Sequence, residues 1–229
     1  MDSLFEKITL YDILGYLFPG TLFEMIIIVA YTVEQYSVGK MSELSQICEK
    51  AEKIKGYIPV MLIITGYCLG IIISEFSIMI DSQIKNFFKT EKPEMHTCGI
   101  SEETLKKALI NAKVYSKQEV KTSLRRKKGD LQSIYGGTMY GMIQNDENYK
   151  RIHNYGSSQL MYRNLACALF LGGIYILWRI ITLRLYGIEE FILGIIYSSM
   201  TAVVYNRYRK TGQRKAEYVR IWFVEKYGE

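Results

Sequence analysis

Three carboxylates, Glu24, Glu75 and Asp81, lie within or beside strongly apolar stretches of the sequence. A charge inside a bilayer is costly unless it is paired, neutral or hydrated, so acids in such positions usually mark the path of an ion or a proton. Rings of acidic side chains on neighbouring helices select cations in oligomeric pores. We therefore expect an ion path near these residues, with Glu24 and Glu75 at similar depth. The alternative is that Glu24 and Glu75 each pair with Arg163.

A second group of residues concentrates positive charge far from the apolar stretches. Its members are Lys117, Lys121, Arg125, Arg126, Lys127 and Lys128, and Tyr115 and Tyr135 are near them in sequence. Cationic side chains neutralise phosphates and aromatic rings stack on bases, which is how single-stranded nucleic acid is held. Basic segments near a membrane also bind anionic lipid and fix topology without any further ligand. The sequence therefore predicts either a polyanion site or a lipid-binding segment here.

The sequence carries none of the usual catalytic or metal-binding motifs. It has no G-x-S-x-G, no H-E-x-x-H, no phosphate-binding loop and no G-x-G-x-x-G. His96, Cys98 and His153 do not have the four-ligand spacing of a zinc site, and we interpret them as isolated surface residues. We therefore predict a protein that is not an enzyme and that needs no cofactor or metal.

Apolar and charged residues are segregated along the chain, although the overall composition, 49% hydrophobic and 23% charged, would suit a soluble protein. A bilayer core about 30 Å thick is crossed by roughly 20 apolar residues in a helix. Four stretches meet or approach this requirement: residues 13–33, 57–80, 164–178 and 186–205. The third needs Arg163 and Arg179 to extend to the two interfaces. The sequence thus predicts an all-α integral membrane protein with about four transmembrane helices.

The first apolar stretch is interrupted by Pro19 and Gly20, and two arrangements are consistent with it. In one, the span begins near Ile13 and Glu24 lies about 16 Å inside it. In the other, residues 1–20 form an interfacial amphipathic helix and a short span begins at about Thr21. We favour the second, because Pro19 suits the start of a helix and the preceding residues suit a surface helix. Small residues at Gly66-x-x-x-Gly70 and Gly172-Gly173 predict close helix contacts elsewhere.

Two polar segments are predicted to form helices outside the bilayer. In residues 100–124, Ser101 can cap a helix whose apolar face has Leu105, Ala108, Leu109 and Ala112 at helical spacing. The tail after Asn206 continues the fourth predicted span as a basic amphipathic helix. Such a helix either lies on the membrane surface or packs on the middle region, and the sequence leaves both possibilities open.

The distribution of Lys and Arg predicts the topology. Fourteen of them lie in residues 82–159 and seven in the tail, whereas the four in residues 34–56 are balanced by four Glu. Both termini and the middle region should therefore be cytoplasmic. The predicted organisation is an interfacial helix (1–20), two spans (21–81) with an outer loop (34–56), a cytoplasmic regulatory region (82–160), two further spans (161–205) and a basic tail helix (206–229).

Three segments, "YDILGYLFPG", "YRNLACALFL" and "YNRYRKTGQRKAEYVRIWF", together resemble small four-span membrane effectors of bacterial anti-phage defence. The chain is most similar in organisation to the channel subunit of the Hailong system, and the membrane subunit of the Kiwa system is a second candidate. The resemblance implies a homo-oligomeric channel, a tetramer by preference, that depolarises the inner membrane on infection. It also implies control by a short DNA oligomer or nucleotide made by a partner nucleotidyltransferase, with the basic segment as its site.

The expected function is therefore a ligand-gated, oligomeric pore that acts as a defence effector in the bacterial inner membrane. The alternative is a non-conducting membrane scaffold or sensor that recruits a soluble partner through the same basic segment. A transporter is disfavoured because four spans without an internal repeat leave little room for alternating access.

Overall fold

The computed structural model describes residues 12–37, 45, 49, 52, 55–87, 100–113, 131–143, 146, 151–183 and 188–228, and the elements it describes are helical. A π-helical segment, Ile13–Leu17, leads directly into helix α1. The helices are α1 (Phe18–Ser37), α2 (Ile58–Phe87), α3 (Glu102–Asn111), α4 (Leu131–Ile143), α5 (Arg151–Leu183) and α6 (Ile188–Tyr227). The prediction of an all-helical protein is confirmed.

The chain divides into two compact units. One, here called the membrane unit, comprises Met1–Lys89 and Ser157–Tyr208, and the second unit comprises Thr90–Gly156 and Arg209–Glu229. Each unit is therefore built from two separate segments of the sequence.

Three helical stretches are long and apolar enough to cross a membrane: Ile13–Thr32, Ile58–Gln83 and Asn154–Thr182. They correspond to the first three predicted spans, and their length and composition indicate a membrane protein. The predicted fourth span, residues 186–205, is not among them within the described part of the chain. That stretch has Glu189 and Glu190 near its start and continues into the basic tail helix, and the fourth span stays a prediction.

The first stretch is helical without a break across Pro19 and Gly20. This continuity is consistent with a span that begins near Ile13, the arrangement that we favoured less. The interfacial helix predicted for residues 1–20 falls mostly on residues 1–11, which are outside the described residues.

The first helical stretch and α2 approach each other through glycines. A Cβ atom added to Gly20 would overlap the carbonyl oxygen of Gly66, and one added to Gly70 would overlap that of Tyr16. Position 16 thus lies against 70 and position 20 against 66, so the two helices run antiparallel. The contact predicted from Gly66 and Gly70 is confirmed.

The second unit has an apolar core. Leu105 and Leu109 of α3, Met139 of α4, Ile152 at the start of α5 and Phe223 near the end of α6 are all fully buried in it. Burial of such side chains is the main source of stability of a water-soluble helical unit. The basic tail helix therefore packs on the middle region, which decides the question that the sequence left open.

Helix α3 begins as predicted and ends earlier than predicted. Ser101 Oγ accepts a hydrogen bond from the backbone N–H of Thr104 at 3.1 Å, which makes Ser101 the N-cap. The helix ends at Asn111, and Lys113 has a positive φ of 54°. A left-handed residue just after a helix is a common way to terminate it. The expectation of one helix over residues 100–124 is therefore wrong, because the helix that begins after Ser101 ends at Asn111.

Candidate functional site

Glu24 lies inside the first candidate span, eleven residues or about 16 Å after Ile13. Its Oε1 atom accepts a hydrogen bond from the Thr65 hydroxyl of α2 at 2.7 Å. The same hydroxyl lies 2.8 Å from the carbonyl oxygen of Met61, and it has one hydrogen to give. The Thr65 hydroxyl is therefore shared between Glu24 and the backbone of its own helix.

The second oxygen of the Glu24 carboxyl group, Oε2, is buried and has no hydrogen-bond partner among the described residues. A buried polar atom without a partner costs free energy that most proteins avoid. Exceptions occur where the group has a function or where water or an ion reaches it. Glu24 is therefore the strongest candidate for a functional carboxyl group in the membrane unit.

Glu75 does not lie level with Glu24, contrary to the prediction of similar depth. Glu24 contacts Thr65, and Glu75 is ten residues further along the same helix, about 15 Å away along its axis. Glu75 is also exposed on the surface of the chain. The sequence could not show this difference, because it depends on how the two antiparallel helices are aligned.

Arg163 is not the partner of these carboxylates in the part of the chain that the structure describes. Its Nη2 atom donates to Ser74 Oγ at 3.3 Å, and its Nε atom donates to Asn164 Oδ1 at 3.4 Å. The ion pairs with Glu24 and Glu75, which we considered as the alternative, are therefore not formed. Arg163 instead belongs to a cluster of uncharged polar side chains.

Asn164 is the centre of that cluster, and it is completely buried. Its Nδ2 atom donates to the carbonyl oxygen of Gly15 at 2.7 Å, and its Oδ1 atom accepts from Ser77 Oγ at 2.8 Å. One amide thus joins the π-helical segment, α2 and α5. The sequence analysis did not identify this residue. The available signal was a strongly polar side chain at the start of a long uncharged stretch.

Asp81 contacts two tyrosines of α6. Tyr205 donates its hydroxyl hydrogen to Oδ1 at 3.1 Å, and Tyr208 donates to Oδ2 at 3.0 Å. Burial, and then the neighbouring Asp81 carboxylate, raise the pKa of the Tyr208 phenol, so Tyr208 remains a neutral donor. Both Asp81 oxygens therefore anchor α2 to α6, and the predicted place of Asp81 near an ion path stays a prediction.

The second unit holds cationic and aromatic side chains together. Lys215 Nζ lies 4.3 Å from the centre of the Tyr140 ring, and Tyr218 stacks on Tyr155 with ring centres 5.0 Å apart. Arg220 is almost fully buried and donates to the carbonyl oxygen of Ile100 at 2.7 Å. These contacts stabilise the tail helix within the unit.

The six residues predicted to hold a polyanion lie outside the described residues. They are Lys117, Lys121, Arg125, Arg126, Lys127 and Lys128, and His96 and Cys98 are also outside. Across the described part of the chain, no group of three or more His, Cys, Asp and Glu side chains comes together. The polyanion site stays a prediction.

No family model, curated protein or solved structure matches this chain. Evidence for function therefore comes from the polar groups of the membrane unit and from the resemblance described above.

Proposed function

We propose that the protein is the membrane subunit of an oligomeric, ligand-gated pore that passes cations. The observation that carries this proposal is the Glu24 carboxyl group. It lies deep in an apolar span, hydrogen-bonds Thr65 through one oxygen, and has a second oxygen without a partner among the described residues. Ionisable groups at such depth generally serve ion or proton pathways.

An oligomer follows from the small number of spans. Three or four helices that pack closely on one another leave no room for a water-filled channel within one chain. Closed rings of identical chains are the usual solution, and they place one copy of each acidic residue around a central axis. In this arrangement Glu24 is the selectivity-determining group, and Glu75 lies nearer one mouth. The resemblance to the Hailong channel favours a tetramer.

Gating by a polyanion is the second part of the proposal. The basic segment from Lys117 to Lys128 has the charge to bind a short oligonucleotide, and the resemblance supplies both that ligand and a nucleotidyltransferase that makes it. In this proposal infection changes whether the ligand is bound, the pore opens, and the inner membrane of the bacterium is depolarised.

The proposal predicts that Glu24→Gln reduces cation selectivity. The amide keeps the size and the contact with Thr65 but removes the charge, so the ring attracts cations less strongly. The variant and the parent protein are incorporated into planar bilayers, and reversal potentials are measured in a salt gradient. We expect a severalfold fall in the cation-to-anion permeability ratio.

Glu75→Gln is the matched control, because it removes the same charge from an exposed position about 15 Å away along α2. It should change the permeability ratio less than Glu24→Gln. Equal effects of the two variants, or no conductance from the parent protein with and without a short DNA oligomer, would refute the assignment of Glu24 to the pore.

A non-conducting scaffold is the second candidate function. The observation in its favour is the separate apolar core of the second unit, which can support a folded binding domain without any pore. A voltage-sensitive dye in cells distinguishes the two candidates. The scaffold predicts an unchanged membrane potential during phage challenge, whereas the pore predicts its collapse.

A further inference from the structure

The π-helical segment and Pro19 together create a break in the hydrogen bonding of the first helical stretch. Proline has no backbone N–H, so it cannot donate to the carbonyl group four residues before it, as other helical residues do. That carbonyl group belongs to Gly15, within the π-helical segment Ile13–Leu17. Both Gly15 and Pro19 are buried, so bulk water does not supply the missing donor.

Asn164 supplies it. Its Nδ2 atom donates to the Gly15 carbonyl oxygen at 2.7 Å, which is a short hydrogen bond for an amide donor. A side chain on α5 thus replaces the α-helical hydrogen bond that Pro19 cannot donate. The bond is long-range in sequence and is the kind that tertiary structure must provide when proline interrupts a buried helix.

The oxygen of the same amide accepts from Ser77, and the Ser77 hydroxyl has a second acceptor within reach. Ser77 Oγ lies 2.8 Å from Asn164 Oδ1 and 2.7 Å from the carbonyl oxygen of Ser74 in its own helix. A hydroxyl group has one hydrogen, so Ser77 donates to one of the two at a time. Ser77 therefore keeps a hydrogen bond whether or not it is bonded to Asn164.

We propose that Asn164 is a releasable latch on a hinge formed by the π-helical segment and Pro19. In the latched state Asn164 holds Gly15, and in the released state Ser77 turns to Ser74 and the segment before Pro19 moves away from α5. π-bulges inside helices are frequent at functional sites, and proline and π-bulges are the usual positions of sharp helix kinks. A single amide thereby controls the position of the N-terminal part of the first span.

Release of the latch is coupled to the entry of water. Because residue 19 is proline, no N–H four residues ahead can bond the freed Gly15 carbonyl group, so its remaining donors are the Gly20 N–H of a π-helical turn and a water molecule. The Asn164 amide loses its bonds to Gly15 and Ser77 in the same step and is hydrated as well. The statement that this wetting opens a conduction path rests on the proposed function, whereas the latch itself does not.

Hydrogen exchange in lipid nanodiscs tests the latch in the full-length protein. Asn164→Leu keeps the side-chain volume and removes the amide, so the amides of residues 12–21 should exchange about tenfold faster than in the parent protein. Where that variant does not accumulate, Asn164→Ala serves the same purpose. Ser77→Ala removes one of the two donors to Asn164 Oδ1, leaves Arg163 Nε as the other, and should leave exchange in residues 12–21 nearly unchanged.

Pro19→Ala provides the decisive second variant, because it restores a backbone N–H that can bond Gly15. In the Pro19→Ala, Asn164→Leu double variant, exchange in residues 12–21 should return close to that of the parent protein. Asn154→Ala, an exposed asparagine on the same helix, is the control and should have no effect. Equal exchange in Asn164→Leu and the parent, or equal acceleration with and without Pro19→Ala, overturns the latch.

Membrane potential in cells tests the link to conduction separately. A leak in Asn164→Leu that Pro19→Ala suppresses supports the latch as part of the gate. Accelerated exchange with an unchanged potential overturns the gating role and leaves the latch in place. These outcomes are distinct from a failure of the pore itself, which the Glu24→Gln measurement reports.

Discussion

Val203 and Met25 in the membrane unit are 69% and 63% exposed, whereas Met139 and Phe223 in the second unit are completely buried. The polar residues show the opposite arrangement. Asn164 and Ser77 of the membrane unit are among its most buried side chains. The described part of the second unit has none of the exposed large apolar side chains that cover the membrane unit. The membrane unit therefore exposes most of its large apolar side chains and buries several polar ones, whereas the second unit buries its large apolar side chains.

This difference teaches what holds each unit together. The second unit is stabilised by removal of apolar surface from water, about 25 cal/mol for each Å². That contribution is absent between helices in lipid, because lipid tails are as apolar as leucine. The membrane unit therefore depends on close packing of small residues, such as Gly66 and Gly70, and on specific hydrogen bonds, such as those of Asn164.

The largest effect is expected from a side chain placed in the glycine contact. A Cβ atom on Gly70 would overlap backbone atoms of Tyr16, so Gly70→Val cannot be accommodated without separation of the two helices. We expect loss of the folded membrane unit, measured as loss of the monodisperse elution peak in detergent.

Gly194→Val is the control for this comparison. A Cβ atom at Gly194 meets no atom within 4 Å, so the same substitution should leave the elution profile unchanged. If both variants behave like the parent protein, the membrane unit does not depend on the glycine contact.

A smaller effect, confined to the second unit, is expected when a side chain of its apolar core is truncated. Phe223→Ala removes a fully buried ring and should lower the free energy of unfolding of this unit by about 3–5 kcal/mol. Trp222 packs against the same core, so its fluorescence reports unfolding once Trp178 has been replaced by Phe.

Phe76→Ala serves as the matched change in the membrane unit, where Phe76 is 43% exposed. Its effect on the same Trp222 transition should be below about 0.5 kcal/mol, since exposed positions contribute little. Similar losses in the two variants would contradict the description of two units with separate stabilising interactions.

Features that depend on neighbours in the sequence were predictable. The Ser101 cap, the apolar face of α3 at Leu105 and Leu109, and the close contact at Gly66 and Gly70 all follow from local spacing, and the structure contains each of them. Three of the four predicted spans were also found from length and composition.

Features that depend on alignment between distant helices were not predictable. Thr65 as the partner of Glu24, and Tyr205 and Tyr208 as the partners of Asp81, become visible only when the helices are placed side by side. The same holds for Asn164, whose importance comes from Pro19, 145 residues earlier in the chain. A sequence identifies a polar residue in an apolar stretch, but the packing decides what it bonds.

The smallest expected effect is the pH dependence of the free energy of unfolding of the second unit. Burial lowers the pKa of the Lys215 ammonium group below its ordinary value of 10.5 in the second unit. The unfolded chain therefore binds more protons between the two pKa values, so the free energy of unfolding rises with pH in that window and levels off above 10.5. Lys215→Met should abolish this rise, measured as the midpoint of Trp222 unfolding at neutral pH and just below pH 10.5.

Burial also raises the pKa of Tyr140 above 10.0, which makes stability fall as pH exceeds that value, and Tyr140→Phe removes this opposing change. A parent protein and a Lys215→Met variant with identical pH dependence would show that the lysine is as well hydrated in the folded unit as in the unfolded chain.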